Sequence, residues 1–219
     1  MAAVKLEAGW GGALDQIFVG TATRVRSYRQ DPDWVTEIAA TDGGFQVTKA
    51  VAYKPFPPQT SASAVLTYLA STMGLTLAPT QGLASLSAFK LAAGLHCQGD
   101  AWRGIQEMCA PLRLTCWVED GQIWILGDGE SLPGQPIVVS PQAIPGAIRL
   151  YREAEPLDDQ GLRVECALAS SIRCGHLVTL ASSQQRGVYR VEAVTHQGEA
   201  RGGAFATVAV LRDPVALGL

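Results

Sequence analysis

Between residues 100 and 112 the apolar positions Trp102, Ile105, Met108, Cys109 and Leu112 recur at three- and four-residue intervals. That spacing predicts one amphipathic helix of about three turns, capped by Asp100 and stopped by Pro111. Directly afterwards the period falls to two, and Asp120-Gly121 has the form of a two-residue type I′ turn joining strands at 113–119 and 122–126. With those residues in the loop, Glu119 faces Gln122, Val118 faces Ile123 and Trp117 faces Trp124. The two tryptophans then share one face of the hairpin, while Leu114, Cys116, Val118, Ile123 and Ile125 line the other. One face must cover the helix. The other is expected to be covered within the chain too, and it is also a candidate interface, because an uncovered tryptophan pair marks a partner surface.

Upstream, residues 17–29, 34–43 and 45–54 read as an antiparallel meander rich in β-branched and aromatic side chains, with turns at 30–33 and at Asp42-Gly43-Gly44. Ile17, Val19, Thr21, Thr23 and Val25 alternate along the first of these strands and form a second candidate interface. Gly9, Gly11, Gly12 and Gly20 fall where a strand bends or a loop needs unusual backbone angles. The proline-rich run 55–60 reads as a linker. After it, Thr60 or Ser61 caps a helix to about Met73, with Ala62, Val65, Leu66, Leu69 and Met73 on its apolar side and Gly74 as its stop. A Leu-x-Leu strand follows this helix at 75–77 and the second helix at 112–114, a short pseudo-repeat. Residues 78–98 carry no firm assignment.

A second linker at 128–136 leads into six short strands, 137–140, 147–153, 162–168, 176–182, 188–196 and 204–212. Their breaks fall at Pro145-Gly146, 158–161, Gly175, Arg186-Gly187 and 198–203, a pattern that suits a small barrel or sandwich. The fold class is therefore α+β, mainly β. The expected domains are 1–56, a first β domain; 57–135, an α/β insert; and 136–219, a second β domain.

A chain of 219 residues with 47% hydrophobic content can bury a substantial core. Seventeen basic against twenty acidic residues give a charge of −3 without a basic run, so the footprint of a nucleic-acid binder is missing. No stretch approaches the roughly 20 apolar residues of a membrane span, and the first residues lack the apolar core of a signal peptide, which places synthesis and assembly in the cytoplasm.

Candidate chemistry is sparse. Cys97, Cys109, Cys116, Cys166 and Cys174 are odd in number, form no CxxC pair, and read as buried thiols. Cys97 or Cys109 with His96 and Asp100 is the best nucleophile candidate, but a thiol needs its base beside it in space. His96, His176 and His196 show no chelating interval for a metal. The acidic pairs Glu119/Asp120, Glu153/Glu155 and Asp158/Asp159 all sit in or beside turns. A glycine-rich phosphate loop at 9–12 lacks the helix start and lysine such a loop needs. The residues point away from an enzyme, with no metal and no cofactor.

Four blocks together resemble the baseplate hub family of bacteriophage tails, which includes the late control protein D group and the hub portion of type VI secretion spikes. They are Gly9-Trp10 followed by IFVG (17–20), DWVTEI (33–38) and Asp42-Gly43; AVLTYLASTMGLTL (64–77); the helix and hairpin of 99–126; and LASSIRCGHLVTL (168–180) followed by GVYRVEAVTHQG (187–198). The resemblance implies two small antiparallel β-barrel-like domains carrying an α/β insert. It also implies a homotrimeric ring in the virion tail that joins the hexameric tail tube, or a distal tail protein, to a central trimeric tip or spike. Asp120, Gly121, Asp42, Gly43, Gly20, Gly175 and Gly187 are then the fold-defining turn residues. Family members have many residues before the first block, and few precede it here. A strand donated to the edge at 17–26, by a second hub polypeptide or a neighbouring copy, is the expected remedy. An envelope-degrading tail-tip hydrolase and a ligand-binding β-barrel are the alternatives.

Overall fold

The computed structural model describes residues 2–157, 161–199 and 205–213. The chain divides into two compact units. Residues 1–6 and 18–127 make the first, and residues 7–17 and 128–219 the second.

The first unit is built around α2 (Ala62–Thr72) and α4 (Ala101–Cys109), with α3 (Gln81–Ala88) beside them. Each helix begins on a side-chain cap, with the oxygens of Ser61, Thr80 and Asp100 accepting from the amides of Ala64, Leu83 and Arg103. α2 ends as expected at Gly74 (φ +69°), where Leu75 N donates to Ala70 O and Gly74 N to Ser71 O. This left-handed stop satisfies two carbonyls that the helix leaves over. The apolar stripes of both helices meet in one core: Val65, Leu66, Leu69 and Met73 from α2, and Ile105 and Cys109 from α4. Two strands, β7 (Thr115–Glu119) and β8 (Gln122–Leu126), close the core with Ile123 and Ile125, and β5 (Thr76–Leu77) pairs parallel to β8. The pseudo-repeat is therefore partial, since after α4 the chain makes a turn of 3-10 helix over Ala110–Leu112, and Arg113 takes a left-handed conformation before β7 starts. Residues 78–98, unassigned from sequence, supply α3 and β6 (Leu95–Asp100).

Two expectations for the first sixty residues need correction. The segment 45–54 is not one strand; it forms α1 (Gly44–Lys49) and then β4 (Val51–Phe56). Gly43 and Gly44 both have positive φ and turn the chain into α1, so that Val47 and Ala50, three positions apart, pack against the core. The prolines of 55–60 do not all lie in a linker, because Pro55 sits in β4, opposite His96 of β6. Proline is tolerated there because, among the described residues, β4 has only β6 as its ladder neighbour. Of the meander, β2 (Asp15–Gln30) and β3 (Asp33–Thr41) pair antiparallel, and β1 (Ala3–Ala8) lies on the other side of β2.

The second unit is a single seven-stranded sheet. It contains β9 (Ile137–Ser140), β10 (Ile148–Arg149), β11 (Glu155–Pro156), β12 (Gly161–Ala167), β13 (Leu177–Ala181), β14 (Arg186–Gln197) and β15 (Ala206–Arg212), in the order β10-β9-β13-β14-β15-β12-β11. Alternate residues of these strands, among them Val139, Val164, Cys166, Val178, Leu180, Val191, Ala209 and Leu211, form its core with Ile172. Two expectations fail here. The sheet is mixed, with β9 parallel to both β13 and β10.

Among the described residues no sheet closes into a barrel, so the two expected barrels are replaced by open sheets in a mainly β, α+β fold. The expected strand 147–153 shrinks to two residues after Pro145-Gly146, and only a single bridge joins Leu150 to Cys166. In the first unit, the sheet of β1, β2 and β3 has no further strand among the described residues. The turn placed at Arg186-Gly187 is also displaced. Ser182 to Gln185 make it, through Ser182 N to Gln185 O and Gln185 N to Ser182 Oγ, and Gly187 pairs with Leu180 inside β14. Gly20 likewise lies within β2, where its value is room: an added Cβ would fall 2.5 Å from Thr41 O. Residues 158–160 of the expected turn at 158–161, and 200–203 of the expected break at 198–203, lie outside the described residues.

Candidate interaction surfaces

The β7–β8 hairpin has the register its sequence dictates, with Glu119 opposite Gln122, Val118 opposite Ile123 and Trp117 opposite Trp124. Asp120 (φ +51°) and Gly121 (φ +75°) both adopt the positive φ a type I′ turn requires. Space around Gly121 is open, so a side chain there meets only backbone strain. Gly121→Val is therefore expected to cost about 1–3 kcal/mol, read from the urea midpoint. A midpoint equal to wild type would show that the turn tolerates a β-branched residue.

A contact not foreseen from sequence holds this turn in place. One oxygen of the Asp42 carboxylate accepts from Gly43 N (2.7 Å) and Gly121 N (3.2 Å), and the other from Asp120 N (2.6 Å). A carboxylate with three backbone donors is a strong local tie, because hydrogen bonds to charged acceptors exceed neutral ones. The signal in the sequence was an Asp-Gly-Gly turn, but its partner lies on the far side of α1 to β7.

The tryptophan face is half-buried. Trp117 and Trp124 stack with centroids 6.2 Å apart and planes at 14°, and Trp117 Nε1 donates to a Glu119 carboxylate oxygen at 3.0 Å. Trp124 Nε1 is buried and has no acceptor among the described residues. The opposite face packs on the helices: Ile123 and Ile125 are fully buried, and Leu114, Cys116 and Val118 are partly so.

The second candidate surface is rearranged by one residue. In the β2–β3 ladder Ala22 faces Ala40 while Arg24 faces Ala39, so Thr23 is an extra residue, a bulge whose hydroxyl donates to Ala39 O. Ile17, Val19 and Thr21 keep one face, but the bulge moves Val25 to the other, beside Ile38 and, farther out, Trp34. These three side chains are 61, 56 and 75% exposed. The reverse face of the hairpin carries a charged cluster, in which Glu37 pairs with Arg24 and Arg26, and the Arg26 guanidinium lies over the Tyr28 ring. The edge expected to await a foreign strand carries β1 of the same chain, with Ala22 N donating to Ala2 O.

In the second unit, the GWGG segment forms a hook. Trp10 packs edge-on to Phe205 at 5.3 Å, Asp15 accepts from the Ser170 hydroxyl, and Arg173 donates to Gln16 O. Gly9 permits the bend, since a Cβ there would lie 1.8 Å from Ala13 O. Gly175 (φ +81°) turns the chain into β13, and its amide donates to Val191 O.

The residues considered for chemistry do not converge. Cys97 is buried in the core of the first unit, and burial pushes its thiol pKa up; the neighbouring His96 is on the opposite side of β6, edge-on to Tyr53, and Asp100 is engaged as a helix cap. Cys109 and Cys116 meet side by side, which raises the first thiol and lowers the second through the hydrogen bond between them. Cys166 is pushed up to about 12 by burial and by Glu165. Cys116 and Cys174 are half-buried, against the expectation of full burial. His196 shares a hydrogen bond with the Thr207 hydroxyl, and burial lowers its pKa. Glu153 accepts from the Ser183 hydroxyl, which holds its carboxyl below the usual range. Among the described residues no three of His, Cys, Asp or Glu come together as metal ligands, and no helix is long and apolar enough to cross a membrane.

No family model matches the sequence, and no curated protein matches it either. The fold does have solved counterparts. A tail protein from Neisseria meningitidis MC58 superposes with a TM-score of 0.65 at 10% identity, covering 90% of this chain and 80% of that one. The 43 kDa tail protein of prophage MuSo2 from Shewanella oneidensis gives 0.63 at 8% identity, covering 94% and 79%. Over at least nine-tenths of its length the chain therefore shares the fold of these two tail proteins.

Proposed function

We propose that the protein is a structural component of a bacteriophage tail, acting in the baseplate or tail-tip hub. The observation that carries this reading is the fold shared with two tail proteins across nearly the whole chain. In the proposed arrangement three copies form a ring in the virion tail. One side meets the hexameric tube or a distal tail protein, and the other meets the central tip or spike. The exposed Val25, Trp34 and Ile38 face and the half-buried Trp117/Trp124 pair are the surfaces offered for those contacts, the first because large apolar side chains stand in solvent on a two-stranded arm. The domain division at 56/57 and 135/136 belongs to the same proposal, as does assembly in the host cytoplasm. A second hub polypeptide is a further proposed partner, and nucleic acid is not one.

The protein acts here through surfaces and not through catalysis, and needs no cofactor. That reading is supported by the placement of Cys97 and His96 on opposite sides of one strand, which denies the hydrolase alternative its best nucleophile and base. Composition and cryo-electron microscopy of purified tails test the proposal. The expected result is three copies per tail at the junction of tube and tip. Absence from the particle, or density away from the tail axis, overturns it.

A further inference from the structure

The two-stranded β4–β6 ladder has two outer edges, and they are finished differently. Ala101 N donates to Ala50 O at 3.0 Å, which continues the register in which Ala52, Lys54 and Phe56 face Gly99, Cys97 and Leu95. Hydrogen-bonded pairs alternate along an antiparallel ladder, so these three pairs exchange the ladder bonds, and the residues between them turn their backbone groups outward. On β4 the outward residues are Tyr53, whose amide donates to the Tyr68 hydroxyl at 3.2 Å, and Pro55, which has no amide hydrogen. That edge is blunted, as exposed sheet edges usually are. On β6 the outward residues are His96 and Gln98, and β4 is the only ladder neighbour of β6 among the described residues.

This open edge does not face free solvent alone. It borders a cleft of about 430 Å³, lined by every residue from Leu95 to Asp100 and, across from them, by Arg103, Gly104, Glu107 and Met108 of α4. A face of a strand contributes alternate residues to a cleft, whereas consecutive residues of both parities line it where the edge is the wall. The floor is apolar, formed by Ala52 and Leu69, and Gly104 puts no side chain into the opening. The Arg103–Glu107 ion pair, at 2.8 Å, marks the rim.

We propose that this cleft takes an extended segment of another polypeptide, which adds to β6 as a third strand. A row of alternating backbone donors and acceptors recognises an extended main chain, and a pocket beside it selects every second side chain. Here the selected side chains are small and apolar, because they face Ala52, Leu69 and Met108. A second copy of this chain is a poorer occupant, since it would bring the edge of a folded sheet into a cleft of about 430 Å³.

The test uses the full-length protein and a short probe peptide of alternating valine and threonine with lysine ends. The peptide should bind and slow amide exchange at His96 and Gln98, leaving the already bonded Cys97 amide unchanged. N-methylation of alternate probe residues removes the donors and should weaken binding at least about tenfold. Gln98→Pro should do the same with an unaltered melting temperature, because its amide points away from β4. If that variant fails to fold, the methylated probe decides alone. Equal binding of both probes, no binding at millimolar peptide, or protection of His96 and Gln98 by self-association without peptide each overturns the proposal. None of these outcomes bears on the tail reading, which rests on the shared fold and is tested by particle composition.

Discussion

Asp42→Ala is expected to destabilise the first unit by about 2–3 kcal/mol, more than any single hydrogen bond on the surface would suggest. One carboxylate serves three backbone amides, those of Gly43, Asp120 and Gly121, and two of these belong to the turn that sets the hairpin register. Hydrogen bonds to charged acceptors contribute roughly 1.5–3 kcal/mol each when buried, but water replaces part of that at a half-exposed turn. Asp42→Asn keeps one acceptor oxygen and should retain about half the loss. Urea unfolding followed by the fluorescence of Trp117 and Trp124 measures both. The effect should also be less than additive with Gly121→Val, because the two changes release the same turn. A midpoint for Asp42→Ala within error of wild type would show that the tie contributes nothing.

Ile105→Ala should have a larger effect, about 2–5 kcal/mol. Ile105 is fully buried where α2, α4 and β8 meet, so truncation removes its transfer free energy and leaves a void among neighbours fixed by two capped helices. The core of the second unit is made of other residues, centred on Val139, Val178 and Leu211. Ile105→Ala should therefore lower the stability of the first unit selectively, seen by amide exchange as faster opening of α2 and α4 with β13 to β15 unchanged. Uniform loss of protection across both units would mean that they unfold as one.

The parts of the fold that were legible in the sequence rest on short spacings. Asp100 to Arg103, Ser61 to Ala64 and the turn at Asp120-Gly121 each involve neighbours within a few positions, where capping and turn chemistry decide the outcome. The parts that were not legible depend on distant partners or on one added residue. The helix α1 was hidden because the β-branched Val47, Thr48 and Val51 favour a strand, whereas positive φ at Gly43 and at Gly44, its first residue, turns the chain into a helix. The bulge at Thr23 reverses the parity of everything after it in β2, so a list of alternating residues could not place Val25 correctly. Parallel pairing of β9 with β13 and of β5 with β8 joins strands with no common turn, and nothing in either strand announces its neighbour. Asp42 was recognised as a turn residue, but its second role lies 78 positions away.

The hook at residues 7–17 has a consequence for how the chain is made. Its aromatic anchor, Phe205, and its polar partners Ser170 and Arg173 leave the ribosome long after it does. The first unit can begin to assemble while synthesis is under way, but the hook must wait until Phe205 emerges to meet the edge of Trp10. Contacts between residues so far apart in the chain also carry a large loop-closure entropy, and so form late. A chain that stops short of Phe205 therefore leaves the hook without its aromatic anchor and the second unit incomplete.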